Sequence, residues 1–355
     1  MIHGGEVYDK KIEYDFSVNL NPMPCPETVT KALKDAISHV DKYPDIDQRE
    51  FRSAVADSFN RRVMRDGRSF APEMVIGGNG ASELLAAVVR MIAPKRVLLP
   101  VPSFYGYVHA LKMLDECEIV SYELRTENEF ELESEFADRI TDDIDAVILA
   151  NPNNPTGKCI KRDVLERIIA KCKDTDTALI VDECFYSLSD SVESASARDY
   201  ICDYSRLYVA DAYTKLFSIP GVRAGYLLSQ SQNITELRRF LPEWNMSAFA
   251  LAAGVACANE CTDEFIDASR EVIRKERGYL SEELAKLGIK VFSSDSNYLL
   301  IYSKYDLYEL LLQKGILIRD CSNYEGLEKG FYRVAIKSHG ENESLIKALR
   351  TIFME

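Results

Sequence analysis

Between Met74 and Ser229 the sequence repeats one pattern: a short apolar run, too brief for a helix, then a longer stretch with helical spacing. The runs are Met74–Ile76, Val97–Leu99, Ile119–Tyr122, Ala146–Ala150, Ala178–Val181, Leu207–Ala210 and Gly225–Leu228. A strand that is apolar at consecutive positions has to be buried on both faces, which is the condition of parallel strands with helices above and below. The pattern predicts an α/β fold whose large domain is a mostly parallel seven-stranded sheet covered by helices. Two covering helices are legible. Ser82–Met91 opens after a glycine, and Lys161–Lys173 sets Val164, Leu165, Ile168 and Ile169 on one face.

After Pro242 the pattern changes. A long helical region runs through Leu287, followed by strand-like Tyr298–Tyr302, helix-like Leu307–Lys314, and strand-like Ile316–Ile318 and Tyr332–Ile336. This mixture predicts a smaller α+β domain. The first residues hold an extended Asp15–Asn19 segment, the breaker cluster Asn21-Pro22-Met23-Pro24-Cys25-Pro26 and a helix over Glu27–Ser38, and they are expected to join it. The expected division is residues 46–241 for the large domain and 1–45 with 242–355 for the small one. No Ser/Gly-rich linker separates them, so an extensive shared interface is expected.

Charge and cysteine content narrow the partners. Lys and Arg number 43 against 57 Asp and Glu, a formal net charge of −14. That excess repels nucleic-acid phosphate and anionic lipid, and no basic block reverses it locally. The start, MIHGGEVYDK, has no apolar core of the kind a secretory leader carries, and no apolar run approaches the roughly 20 residues of a membrane helix. The expectation is a cytoplasmic protein with no nucleic-acid or membrane partner. Nine cysteines without a CxxC pair fit reduced thiols, and Cys257 and Cys261, one helical turn apart, read as packing residues rather than ligands. His3, His39, His109 and His339 form no metal-binding spacing, so no metal is expected.

Four segments at predicted strand ends carry potential chemistry. Gly77-Gly78-Asn79-Gly80-Ala81-Ser82-Glu83 links a strand to a helix, so its amides and the positive end of the helix suit a phosphate; alone, such a glycine-rich turn is more often only a tight connection. Asn151-Pro152-Asn153-Asn154-Pro155-Thr156-Gly157 lies where open α/β sheets bind ligands, or is simply a proline-stiffened turn. Asp182-Glu183 closes an apolar strand, as a helix cap also could. Thr214-Lys215, among apolar and aromatic neighbours, offers an amine whose pKa desolvation would lower, making it a nucleophile toward an aldehyde.

In this order, and together with Arg223-Ala224-Gly225-Tyr226, the four segments resemble the pyridoxal-phosphate aminotransferases of the aspartate aminotransferase fold (fold type I), over nearly the whole chain. The resemblance implies pyridoxal 5′-phosphate as cofactor, with Lys215 as the Schiff-base lysine and proton shuttle and Asp182 against the pyridine nitrogen. It implies Asn154 on the ring 3′-oxygen and Tyr107 stacked on the ring. The phosphate would lie on the amides of Ala81 and Ser82, the Thr214 region and Arg223. Tyr43, before Pro44, matches a tyrosine that reaches the neighbouring subunit's phosphate, which implies a homodimer. Two positions depart from the pattern: Phe185 stands where many members carry a tyrosine donor to the 3′-oxygen, and Ala212 where a serine is common.

The termini are similar to the threonine-phosphate decarboxylases of cobalamin synthesis. The similar pieces are His3-Gly4-Gly5, Asp15–Pro22, Leu317–Leu327 and Tyr332–Ile336, and Phe185 fits them too. By that resemblance His3, Gly4, Asn19, Asn154, Arg319 and Arg333 line the substrate site, the two arginines taking the carboxylate and phosphate of a small amino-acid phosphate. Without it, both would read as surface ion-pair arginines. Histidinol-phosphate aminotransferases share most of these residues and form the alternative, although their usual Gly-Thr after the second arginine strand is Lys337-Ser338 here. A catalytically idle cofactor-binding protein is a third reading, opposed by retention of Lys215, Asp182, Asn154 and Arg223 together.

Overall fold

The computed structural model describes residues 4–62 and 69–354. The chain enters through a two-residue strand, β1 (Tyr14–Asp15), and then builds the predicted sheet from β2 (Val75–Asn79), β3 (Arg96–Val101), β4 (Glu118–Glu123), β5 (Ala146–Ala150), β6 (Ala178–Asp182), β7 (Leu207–Ala212) and β8 (Ala224–Leu228). The order across the sheet is β2-β8-β7-β6-β5-β3-β4, and only β8 runs against its neighbours. Apart from the half-buried edge strand β4, the apolar runs are buried on both faces. Leu179, Val181 and Val209 pack with Leu165 and Ile168 on one side, while Ile148, Ile180 and Ala210 pack with Leu84, Leu85 and Val88 on the other. Burying each such leucine, isoleucine or valine contributes about 1.5–3 kcal/mol, which is why these strands hold the centre.

Strands β9 (Lys290–Val291), β10 (Tyr298–Tyr302), β12 (Arg319–Asp320) and β13 (Phe331–Ala335) form a second, antiparallel sheet, and β1 pairs in parallel with β11 (Ile316–Leu317). Phe16, Leu280, Leu284, Leu299, Ile301 and Val334 make its core. The helical region after Pro242 is two helices, Ala248–Glu260 and Asp263–Lys286. Thr262 separates them, and its hydroxyl accepts the Phe265 amide at 3.2 Å as an N-cap. The helix Ala248–Glu260 packs into the core of the large sheet with Val29 and Phe51, and buries Cys257 there.

This arrangement gathers the motif segments at one edge. Ala150 pairs with Asp182, and Asp182 with Ala210, so the carboxyl ends of β5, β6 and β7 lie level. The strand order reverses between β3 and β5, the position at which open α/β sheets leave a crevice. The N-terminal segment is laid across that crevice: Asn21 donates its amide to the Lys215 carbonyl at 3.0 Å and its Nδ2 to the Leu216 carbonyl at 2.8 Å, and Ser218 Oγ donates back to the Asn21 carbonyl. On the far side, β8 comes so close to the Gly80 turn that a Cβ at Gly225 would lie 2.5 Å from the Gly80 carbonyl carbon, so only glycine fits there. Among the described residues no helix is long and apolar enough to cross a membrane.

Candidate active site

A cavity of about 300 Å³ opens at the level strand ends. Gly4, Asn19, Ala81, Ser82, Tyr107, Asn154, Asp182, Thr214, Lys215, Arg223 and Arg333, eleven of the residues expected from sequence, line it. Lys215 sits on the short helix Tyr213–Leu216 directly after β7. Burial is the main cause that pushes its pKa down to about 8, and the guanidiniums of Arg333 and Arg223 push the same way. At pH 7 roughly a tenth of such an amine is neutral, against well under a thousandth for an ordinary lysine. Its Nζ lies 5.7 Å from the centre of the Phe185 ring, where a tyrosine hydroxyl is common in the resembling enzymes.

Asp182, at the end of β6, accepts the Tyr107 hydroxyl at 2.8 Å and the Cys184 amide at 3.0 Å. Tyr107 was expected as a stacking ring; here its hydroxyl also orients the carboxylate. Asp182 lines the cavity, its two oxygens each taken by one donor, the buried Tyr107 hydroxyl and the Cys184 amide, which orients the carboxylate. Asn154 Oδ1 accepts Arg333 Nη1 at 2.6 Å, which leaves the Asn154 NH₂ as the donor of that side chain. Arg333 is held a second time by the Ser17 carbonyl at 2.7 Å, while its Nε is buried without a partner.

The opposite end of the cavity is a helix N-terminus. Gly80, with φ of 78°, turns the chain into the helix Ala81–Ile92, which no side chain caps at that end. A Cβ at Gly80 would collide with the Arg223 guanidinium, so the glycine makes room for that cation. Glu83 Oε2 accepts the Asn79 amide at 2.7 Å and Asn245 Nδ2 at 3.0 Å, and so holds the turn shut. The Thr214 hydroxyl is buried beside this cradle with no partner.

Arg319 does not line the cavity. It is buried in register with Arg333, donates to the Asp320 carbonyl and, at 2.8 Å, to Asn323 Oδ1, and stacks over Tyr324. Neither arginine is in an ion pair among the described residues, unlike ordinary surface arginines. Asn19 is buried with both side-chain amide atoms unpartnered. Tyr43 lies outside the cavity, 82% exposed, its ring 4.8 Å from that of Trp244. His3 falls outside the described residues. Ser17, Phe104 and Cys184 line the cavity without having been expected from sequence. Cys184 had a signal, since a residue two beyond Asp182 can return to the same side.

This donor set fits a phosphorylated aldehyde cofactor. A buried low-pKa amine stands between a fixed carboxylate and a cationic helix N-terminus, and the orphaned Thr214 hydroxyl waits for an acceptor. Fold and site together define a pyridoxal-phosphate enzyme of fold type I. The family model of class I and II aminotransferases matches residues 11–352, and the chain belongs to that family. It is 32% identical to the threonine-phosphate decarboxylase of Salmonella typhimurium, over 95% of this chain and 90% of that one. It is 26% identical to the histidinol-phosphate aminotransferase of Methanosphaera stadtmanae, over 94% and 89%. The crystal structure of the histidinol-phosphate aminotransferase from Clostridium acetobutylicum superposes with a TM-score of 0.85 at 28% identity, covering 96% of this chain and 99% of that one. The enzymes of this family depend on pyridoxal phosphate, and so does this one.

A lowered lysine pKa has a direct consequence. In the cofactor-free protein, covalent modification of Lys215 by trinitrobenzenesulfonate, located by peptide mapping, is expected to rise with pH around a midpoint near 8. A midpoint near 10.5 would contradict the desolvated setting.

Proposed function

We propose that this protein is a pyridoxal-phosphate-dependent lyase that decarboxylates L-threonine O-3-phosphate to aminopropanol phosphate for cobalamin biosynthesis. The observation that carries this reading is the pair of cationic ends around Lys215. One end, Arg223 with the Ala81 and Ser82 amides and Thr214, is matched to the cofactor phosphate. The other, Arg333 beside the unpartnered Asn19 amide, is matched to an anionic substrate. The 32% identity to a threonine-phosphate decarboxylase supports the substrate choice.

When bound, pyridoxal phosphate supplies an aldehyde that captures amines and a ring that takes up the electron pair released at the substrate α-carbon. The chain's own residues decide the rest. Asp182 would hold the ring nitrogen's positive charge, and Asn154, whose Oδ1 is taken by Arg333, would have its NH₂ left to donate to the cofactor, a role the Phe185 ring could not share. Arg333, with Asn19 and Gly4, orients the substrate so that the C–COO⁻ bond rather than C–H is placed to break. Lys215, in its ammonium form, would then deliver a proton to the α-carbon after CO₂ leaves and be left as the neutral amine. Arg333 lines the cavity and Arg319 does not, so Arg333 carries the larger share.

Histidinol-phosphate aminotransferase is the second reading, favoured by the overall superposition at a TM-score of 0.85. O-phospho-L-threonine supplied alone is expected to yield CO₂ and aminopropanol phosphate. Glutamate formation from histidinol phosphate and 2-oxoglutarate, without turnover of phosphothreonine, would replace the first reading by the second.

The enzyme is proposed to act as a homodimer in the cytoplasm, a compartment that nine unpaired cysteines suit. Ile37 and Val40, 61% and 60% exposed, flank in sequence a groove residue, His39, and that groove is also lined by Tyr43, Leu251, Ala252 and Val255. A second copy of the chain would cover it and bring Tyr43 to the neighbouring cofactor phosphate. Residues 46–241 and the remainder are proposed as its two domains. Sedimentation velocity is expected to give a dimer, with Val40→Asp dissociating it and cutting activity at least tenfold. A fully active monomer would remove Tyr43 from the site.

A further inference from the structure

Directly behind the cavity, on the other face of the large sheet, Glu183, Arg198 and Asp211 are buried together and take no part in the chemistry above. Side chains alternate along a strand, so while Asp182 lines the cavity, Glu183 points to the opposite face. Asp211 does so too, since its neighbours Ala210 and Ala212 pack in the cluster on the cavity side. Two acids on adjacent strand ends repel each other unless a cation lies between them. Arg198 is that cation: Nε donates to Glu183 Oε2 at 2.7 Å and Nη2 to Asp211 Oδ2 at 2.9 Å.

The remaining acceptors are filled. Glu183 takes the Ser196 hydroxyl at 2.6 Å and the Ala197 amide at 2.7 Å, and Asp211 takes the Tyr226 hydroxyl at 2.9 Å and the Ala212 amide at 2.6 Å. Rings on either hand confine the guanidinium, with Phe59 centred 5.0 Å away and Tyr186 5.7 Å away. Burial works against its charge, but Glu183 and Asp211 outweigh burial and raise its pKa. A buried ion cluster is an inefficient way to stabilise a fold, since apolar residues of equal volume often do as well or better; what it supplies is a defined geometry.

That geometry bears on the site. Glu183 is bonded in sequence to Asp182, and Asp211 is the penultimate residue of β7, just before the short helix that carries Lys215. We propose that Arg198 is a positioning residue: by clamping Glu183 to Asp211 across β6 and β7, it fixes the separation of Asp182 and Lys215 on the opposite face. The inference rests on the reading of Lys215 and Asp182 as the cofactor residues. A lysine at 198 reaches one carboxylate but lacks the fork that spans both.

The test uses the cofactor-loaded protein well below its Tm. For Arg198→Met, kcat is expected to fall at least tenfold with KM within threefold of the parent, and the visible circular dichroism per bound cofactor to fall by half or more. Arg198→Lys is expected to recover only part of each. If Arg198→Met yields no soluble protein, Arg198→Lys and Glu183→Gln carry the same comparison. Parental kcat and visible circular dichroism in the variants, with only Tm lowered, would overturn the inference and leave the cluster as a structural clip. Lys215→Ala separates the two claims: a visible cofactor band that survives it overturns the site reading and this inference with it. Loss of the band there, with unaffected Arg198 variants, overturns this inference alone.

Discussion

The burial of Lys215 in a cavity shared with two guanidiniums is the condition on which the rest of the site depends. An ammonium taken out of water beside Arg333 and Arg223 gives up its proton near pH 8, and only a neutral amine can attack an aldehyde. Such a concentration of positive charge has to be held against its own repulsion. The large sheet does so by carrying Lys215 at the end of β7 and Asp182 at the end of β6, level with each other. The N-terminal segment then closes over the lysine through Asn21, whose bonds reach Lys215, Leu216 and Ser269.

Charge is divided between surface and cavity. The chain carries a formal −14, yet cofactor and proposed substrate are both phosphorylated anions, which the net field repels rather than steers. Attraction is therefore local: Lys215, Arg223 and Arg333 face one cavity in which, among the described residues, Asp182 is the one carboxylate. The net charge opposes polyanions, while the cavity offers its positive charge on fixed donors. Gly80 is part of this device, because its missing Cβ is the space into which the Arg223 guanidinium fits.

The large sheet was legible because its inner strands are buried on both faces and read as continuous apolar runs; all seven strands, the half-buried edge strand β4 included, fall where periodicity places them. The motif residues at strand ends were legible because chain order and strand-end position constrain them together. Contacts between distant segments were not. Nothing in sequence pairs the Tyr107 hydroxyl with Asp182, turns Arg319 toward Asn323, or seats the helix Ala248–Glu260 on Phe51, since each depends on how separate elements pack. Glu183 and Asp211 held a partial signal, two acids at neighbouring strand ends needing a cation. Arg198 lies in a stretch without periodicity, so no pattern could supply it.

The central claim is that Lys215 is the amine that holds the cofactor. Borohydride reduction of the pyridoxal-phosphate-loaded protein, followed by mass mapping of its peptides, tests this most directly. The account predicts the phosphopyridoxyl label on Lys215 and on no other lysine in stoichiometric amount. A label on a different lysine, or no stoichiometric label in protein that binds the cofactor, would contradict it.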